Sequence, residues 1–228
     1  MTWLIYDCDG VLVDSEVLAG AALAELMTNL GHPLTGAECS RIFGGLNVTD
    51  VLAKAEQILG RPVPPDRGEE AGQRLLARFR QELQPVNGVA STITSLPYRR
   101  CVCSSSTPER LRLSLEVTGL APLFGNDVFS AAQVEHGKPA PDLFWFAARS
   151  LGETPSDAIV IEDSPLGIAA ARAAGMRSIG FVGASHVASD LRERLQAAGA
   201  DLVIDAMVDL PDAIATLSDR KSHSRGRN

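Results

Sequence analysis

The residues in this chain that invite chemistry are Asp7 and Asp9, two acids one residue apart that end the apolar run Trp3-Leu4-Ile5-Tyr6 and precede Gly10. A run rich in β-branched and aromatic residues that stops at acids reads as a buried strand ending in carboxylates. Such groups must be solvated, paired or bound to a cation, and the carboxyl end of a strand is where open α/β sheets place their ligands. Gly10 lets the backbone turn just beyond, so one acid can point into a pocket while the other lies above it. The pair can then divide its labour: one is nucleophile and metal ligand, the other general acid and base. Taken alone, Asp-x-Asp-Gly is more often ordinary turn chemistry.

Three further stretches change that balance. Cys101-Val102-Cys103 runs into Ser104-Ser105-Ser106-Thr107-Pro108, where hydroxyls and free amides precede a helix opened by proline, an arrangement that binds phosphate oxygens as readily as it caps a helix. Gly137-Lys138-Pro139-Ala140-Pro141-Asp142 holds one lysine between Gly and Pro, extended by Pro139 so that its ammonium projects to a fixed place, with Pro141 opening a helix. Val160-Ile161-Glu162-Asp163-Ser164-Pro165 ends another apolar strand in adjacent acids, with Ser164 as N-cap and Pro165 at N1. Both acids can reach one cation where the chain turns, one directly and one through water. Each loop has a structural explanation of its own in capping, a solvated lysine or helix-dipole complementation. Together they hold carboxylates for Mg²⁺ and a hydroxyl and ammonium for a phosphoryl group, which describes a single reaction.

The elements that must position these loops follow from periodicity. After Glu16 the pattern becomes helical, with Leu23, Leu26, Met27 and Leu30 before Gly31. A second helix is expected from Thr35 to Phe43, a third through Val48, Val51, Leu52, Ala55 and Leu59 to Gly60, and a fourth with Leu75, Leu76, Phe79 and Leu83 on its inner face. Beyond Pro85 strands are expected at Arg100 to Cys103, Asp127 to Ser130, Ala158 to Ile161, Arg177 to Phe181 and Leu202 to Ile204, separated by helices. That alternation predicts an α/β fold with a Rossmann-like parallel sheet. The first strand must join the same sheet, making the four-helix stretch an insert. The expected organisation is a core of residues 1–14 and 86–218, a helical cap of 15–85 and a frayed basic tail of 219–228. The two links, Asp14 to Glu16 and Gln84 to Gly88, are candidate hinges.

At 228 residues and 45% hydrophobic the chain can bury a sizeable core. A net charge of −7, with four of the 21 basic residues in the last ten, argues against a nucleic-acid partner. No apolar run approaches a membrane span, and the first strand leaves no room for a cleavable leader, so a cytoplasmic location and no membrane partner are expected. Cys8, Cys39, Cys101 and Cys103 lack paired metal spacing and read as buried reduced thiols. His32, His136 and His186 are given no catalytic role.

Asp7-Cys8-Asp9-Gly10-Val11-Leu12-Val13-Asp14-Ser15-Glu16, Cys103-Ser104-Ser105-Ser106, Gly137-Lys138-Pro139-Ala140-Pro141-Asp142 and Ile161-Glu162-Asp163-Ser164-Pro165-Leu166-Gly167 together resemble the haloacid dehalogenase superfamily of aspartate-nucleophile phosphohydrolases. The branch with a helical cap after the first strand, similar to β-phosphoglucomutases and sugar-phosphate phosphatases, matches from residue 3 to about 217. The resemblance implies Asp7 as nucleophile, through an aspartyl phosphate, and Asp9 as general acid and base. It implies Mg²⁺ on the Asp7 carboxylate, the Asp9 backbone carbonyl and Asp163, with Glu162 holding a metal-bound water. Ser104 and Lys138, with the amide of Ser105, would grip the phosphoryl oxygens. Gly44, Gly45, Leu46 and Asn47 are expected to face the substrate from the cap, by position alone.

Two departures bear on the reaction. Ala19 stands where the mutases carry a histidine, and Gly44-Gly45-Leu46-Asn47-Val48 lacks the lysine and arginine they direct at a second phosphate. A mutase must hold a bisphosphate at both ends and exclude water, whereas a phosphatase needs one anchored phosphate and a water. The dehalogenase branch lacks the second acid that Asp9 supplies. The expectation is a Mg²⁺-dependent phosphatase acting on a small phosphorylated sugar, sugar acid or polyol, as a monomer or weak dimer. A phosphosugar mutase and a non-catalytic phospho-ligand binder are the competing readings.

Overall fold

The structure is a computed structural model describing residues 1–185 and 188–225, with side chains described to Asp219. Six strands, β1 (Trp3–Tyr6), β2 (Arg100–Ser104), β3 (Val128–Ser130), β4 (Ala158–Glu162), β5 (Arg177–Phe181) and β6 (Leu202–Ile204), form one sheet in the order β3-β2-β1-β4-β5-β6. Every pairing is parallel, with Ile5 beside both Cys101 and Val160. This is the α/β sheet the alternation predicted, its strand ends within a residue of those expected. The first strand is central and the crossovers go to both sides of it, so the switch of direction falls beside Asp7.

Strand residues alternate between two apolar layers, as a two-residue period requires. Leu4, Tyr6, Val102, Ile159, Ile161, Ile179 and Phe181 enter one, and Trp3, Ile5, Cys101, Cys103, Phe129 and Val160 the other. The four cysteines are buried and free, as expected.

The insert that follows β1 is made of four helices: α1 (Glu16–Asn29), α2 (Gly36–Phe43), α3 (Val48–Leu59) and α4 (Pro65–Glu82). Thr35 caps α2 through a reciprocal box with Glu38, and Pro64 and Pro65 set the start of α4. Leu26, Met27, Leu30, Cys39, Phe43, Ala55 and Val63 form a small apolar cluster private to the insert. The inner face of α4 does something periodicity did not foretell. Leu76, Phe79 and Leu83 join the larger cluster that lies against the sheet, together with Leu18.

The remaining helices are α5 (Val89–Ser95), α6 (Pro108–Val117), α7 (Asp142–Leu151), α8 (Pro165–Ala173), α9 (Leu191–Ala198) and α10 (Leu210–Arg225). Pro141 is the N-cap of α7 rather than its first residue. The boundary expected at 218 falls inside α10, whose helical backbone runs to Arg225; the side chains of 220–225 and residues 226–228 lie outside the described residues. His186 lies outside them as well. The two links into the insert run side by side and antiparallel, bridged at Val13 and Pro85, with the Asp14 amide donating to Gln84 O (2.9 Å) and the Val86 amide to Leu12 O (3.0 Å). Among the described residues no helix is long and apolar enough to cross a membrane.

Candidate active site

Because all strands are parallel, the loops after β1, β2 and β4 open at one rim, and the Gly137 to Asp142 loop reaches the same place. Lys138 is its centre. The Nζ, on a side chain 2% exposed, donates to Asp7 Oδ1 (2.8 Å), to the Cys103 carbonyl (3.0 Å) and to Glu162 Oε1. The Lys138–Pro139 peptide is cis. One ammonium thus ties the ends of three strands together, and its two carboxylates hold its pKa above the ordinary value against the opposing effect of burial.

Glu162 is fully buried; besides Lys138 it accepts from the Ser164 amide (3.2 Å) and hydroxyl (2.9 Å). Ser164 in turn accepts from the Gly167 amide (3.0 Å) as the cap of α8. A Cβ on Gly167 would overlap the Glu162 carboxylate, so only glycine lets that helix start close over it. Asp163 has the corresponding neighbour in Gly10, at φ +74°, where a Cβ would overlap Asp163 Oδ2.

Oxygens of Asp7, Glu162 and Asp163 lie within 4.8 Å of one another. Burial pushes the Asp7 carboxyl up to about 8; Lys138 draws it down, and Glu162 and Asp9 raise it further. Burial likewise raises Asp163 well above the carboxylate range, reinforced by Glu16, Asp7 and Glu162. Three hard oxygen donors with more negative charge than one lysine balances fit a small divalent cation such as Mg²⁺. Of the expected set, Asp7, Asp163 and Glu162 are brought together, with Glu162 also anchoring Lys138; the Asp9 carboxylate is not in that group.

Asp9 is held from three sides. Its Oδ1 accepts from Ser15 Oγ and Arg110 Nη2, both at 2.6 Å, and its Oδ2 accepts from Ser106 Oγ, also at 2.6 Å. Burial pushes its carboxyl up, but the Arg110 guanidinium and the hydroxyl bonds outweigh that and hold it below the usual range. Arg110 lies in the first turn of α6 with its guanidinium 5.1 Å from the centre of the Phe79 ring of α4. Ser106 is fixed by Ser130, whose Oγ donates to the Ser106 carbonyl (2.6 Å). Ser104, 1% exposed, accepts the Ser106 amide (3.0 Å), which leaves its own proton to donate.

A cavity of about 80 Å³ lies among Asp7, Asp9, Ser104, Ser105 and Lys138 from the sheet side and Ala19, Gly44, Gly45 and Leu46 from the insert. Asn47, expected to face this space, is not in its lining. Its amide caps α3, accepting the Asp50 amide (2.9 Å) and donating to the Asp50 carboxylate (2.7 Å), the ordinary use of Asn before a helix. A second cleft of about 480 Å³ runs from Glu16, Gly44 and Gly45 past Asp163 to Phe181 and Leu191. Glu16 borders both; burial lifts its carboxyl to about 7, Asp9 adding to this and Arg110 opposing it.

Arg110, Ser106 and Ser15 were missed as site residues, and Glu16 was read only as part of a motif. A charged residue in a first helical turn and a serine in a serine run look like surface and capping residues. The usable signal is that a helix opened by a ligand loop turns its first-turn side chains back toward that loop.

The haloacid dehalogenase-like hydrolase family matches residues 4–181. The fold superposes on a conserved haloacid dehalogenase-like protein of unknown function from Agrobacterium tumefaciens with a TM-score of 0.84 and 37% identity, over 96% of this chain and 99% of that one. A 6-phosphogluconate phosphatase from Escherichia coli is 25% identical over 80% of this chain and 83% of its own length. A phosphorylated carbohydrates phosphatase from Thermotoga maritima is 28% identical over 89% and 94%. The chain belongs to the haloacid dehalogenase-like hydrolases. Its place among them is with the phosphatases, as a phosphoric monoester hydrolase.

Proposed function

We propose that this protein is a cytoplasmic, Mg²⁺-dependent phosphatase of a small phosphorylated sugar, sugar acid or polyol, working as a monomer or weak dimer through an aspartyl phosphate. The observation that carries the reading is the convergence of Asp7, Lys138, Glu162 and Asp163 at one point of the rim. The free Asp7 carboxylate oxygen attacks phosphorus while Asp9 gives a proton to the departing alcohol. Asp9 then takes a proton from water, which attacks the same phosphorus and frees Asp7 and inorganic phosphate. Lys138 and Ser104 hold the phosphoryl oxygens. Asp7, the Asp9 carbonyl and Asp163 would hold Mg²⁺, with Glu162 through a water; the cation offsets the repulsion between an anionic nucleophile and an anionic ester. The helical insert serves as the cap, presenting Gly44, Gly45 and Leu46 to the substrate.

Ala19 in the cavity lining, where a phosphosugar mutase of this family would carry histidine, favours hydrolysis over isomerisation. Phosphate release across a panel of sugar, sugar-acid and polyol phosphates, with and without Mg²⁺, tests the reading. Release should depend on the cation and vanish in Asp7→Ala. Conversion of one sugar phosphate into another without free phosphate would establish the mutase instead, and release by Asp7→Ala would exclude the aspartyl phosphate. A phospho-ligand binder would release phosphate from none of the panel and keep its biological activity in Asp7→Asn.

A further inference from the structure

The face that α1 turns to the cavity is Glu16, Ala19, Gly20 and Leu23, the three-to-four spacing of one helical stripe, and only its first residue is polar. Phe43, Leu46 and Val51 carry the apolar lining across the rest of the insert. Ser40 borders the space too, but its hydroxyl proton is committed to the Glu16 carbonyl (3.2 Å). The Glu16 carboxylate is different. It is half-buried where the cavity meets the larger cleft, and among the described residues it makes no hydrogen bond or ion pair. Its Oε2 ends beneath Gly44, 3.8 Å from where a Cβ on that residue would stand. A carboxyl drawn into a cavity without a protein partner calls for a donor from the ligand, and it keeps an accepting oxygen whether ionised or protonated. It also follows Ser15, whose hydroxyl holds Asp9, so it stands beside the group that handles the leaving oxygen. The donor that a phosphate ester can bring to that place is a hydroxyl of the departing alcohol.

On the proposed phosphatase reading, we infer that Glu16 is a specificity-determining residue: its carboxylate accepts a hydroxyl of the leaving alcohol, and the site therefore selects phosphate esters of polyhydroxylated alcohols over esters without a hydroxyl. An alcohol that brings no donor strips water from the carboxylate and puts nothing in its place, which is the costly case for a buried acceptor. The apolar stripe around Glu16 sharpens the choice, because the side chains nearest to it cannot take over the contact.

The test measures kcat/KM for glucitol 6-phosphate, glucose 6-phosphate and 6-phosphogluconate against p-nitrophenyl phosphate, an ester without hydroxyls, in the wild type and in Glu16 variants. In Glu16→Ala the ratio of the best hydroxylated ester to p-nitrophenyl phosphate should fall about tenfold to a hundredfold, as loss of one hydrogen bond to a charged group allows, and mainly through KM. Glu16→Gln, whose amide oxygen still accepts, should keep part of that ratio. A Glu16 that only supports the fold, or that serves the cation, would lower both rates together and leave the ratio unchanged, which would overturn the assignment. Turnover of p-nitrophenyl phosphate with none of the hydroxylated esters accepted would overturn it too. Calorimetric titration in the Asp7→Asn background reads the same contact without turnover: adding Glu16→Ala should weaken binding of the best hydroxylated ester about tenfold more than binding of inorganic phosphate, and equal weakening removes the role. Failure to release phosphate from any ester, p-nitrophenyl phosphate included, would instead count against the phosphatase reading. If Glu16→Ala does not fold, Glu16→Met, which keeps the length of the side chain, takes its place.

Discussion

Lys138 carries more of the site than any other side chain, and its removal is the sharpest test at this scale. Lys138→Met leaves Asp7 and Glu162 buried side by side without their shared cation. Breaking a buried pair from one side costs about 3–5 kcal/mol, and urea denaturation without divalent cation should register a loss of that order alongside the loss of turnover. The acids themselves predict a pH dependence. Asp7, raised to about 8, and Asp163, raised well above its usual value, bind more protons when folded than unfolded. Between the ordinary carboxylate range and about pH 8, stability without metal should therefore fall as pH rises. A divalent cation must displace those protons, so its affinity and its stabilisation should both grow over the same interval. Thermal melting with and without Mg²⁺ at pH 5.5 and 8 checks the sign, and Asp7→Asn should flatten it. Asp7, Asp9, Lys138 and the Glu162–Asp163 pair could be read from sequence because each ends an apolar run or sits between Gly and Pro. Arg110 and Ser106 could not, because nothing in their local pattern distinguishes a side chain turned toward a ligand loop from one turned to water.

Strands and helices were legible to within a residue or so because the two periods are strong: unbroken apolar runs for a sheet buried on both faces, and three-to-four spacing for the insert. What a helix face packs against is a different matter. Leu76, Phe79 and Leu83 announce an inner face of α4, yet only the folded chain reveals that this face belongs to the sheet-side core rather than to the insert's own cluster. Phe79 is wholly buried and lies under the Arg110 guanidinium. Phe79→Ala should destabilise the protein by about 3–5 kcal/mol. It should also loosen Arg110, so turnover measured well below the melting temperature is expected to fall too. Phe79→Leu, which keeps most of the apolar volume and loses the ring, separates the two effects: stability near the wild type with reduced turnover would locate the second effect at the ring.

Considered as a whole, the molecule has two apolar layers about one sheet and a third cluster in the insert, with α4 shared across the junction. That sharing predicts one cooperative unfolding transition, seen alike by far-ultraviolet circular dichroism and by fluorescence of the two tryptophans, Trp3 in β1 and Trp145 on α7. A separate early transition confined to helical signal would mean that α1 to α3 melt on their own. The sequence suggested a cap joined by two candidate hinges. The structure adds that these links are hydrogen-bonded to each other, a long-range pairing invisible to any local pattern.

That pairing has a consequence for how the protein can be altered. Because the chain departs and comes back through a single narrow doorway, with Asp14 and Gln84 in direct contact, a foreign module whose own ends meet as closely could be spliced in without rethreading a strand. The catalytic rim is a socket in that sense, and substrate choice becomes an exchangeable fitting, provided the newcomer brings an apolar ridge to replace Leu76, Phe79 and Leu83.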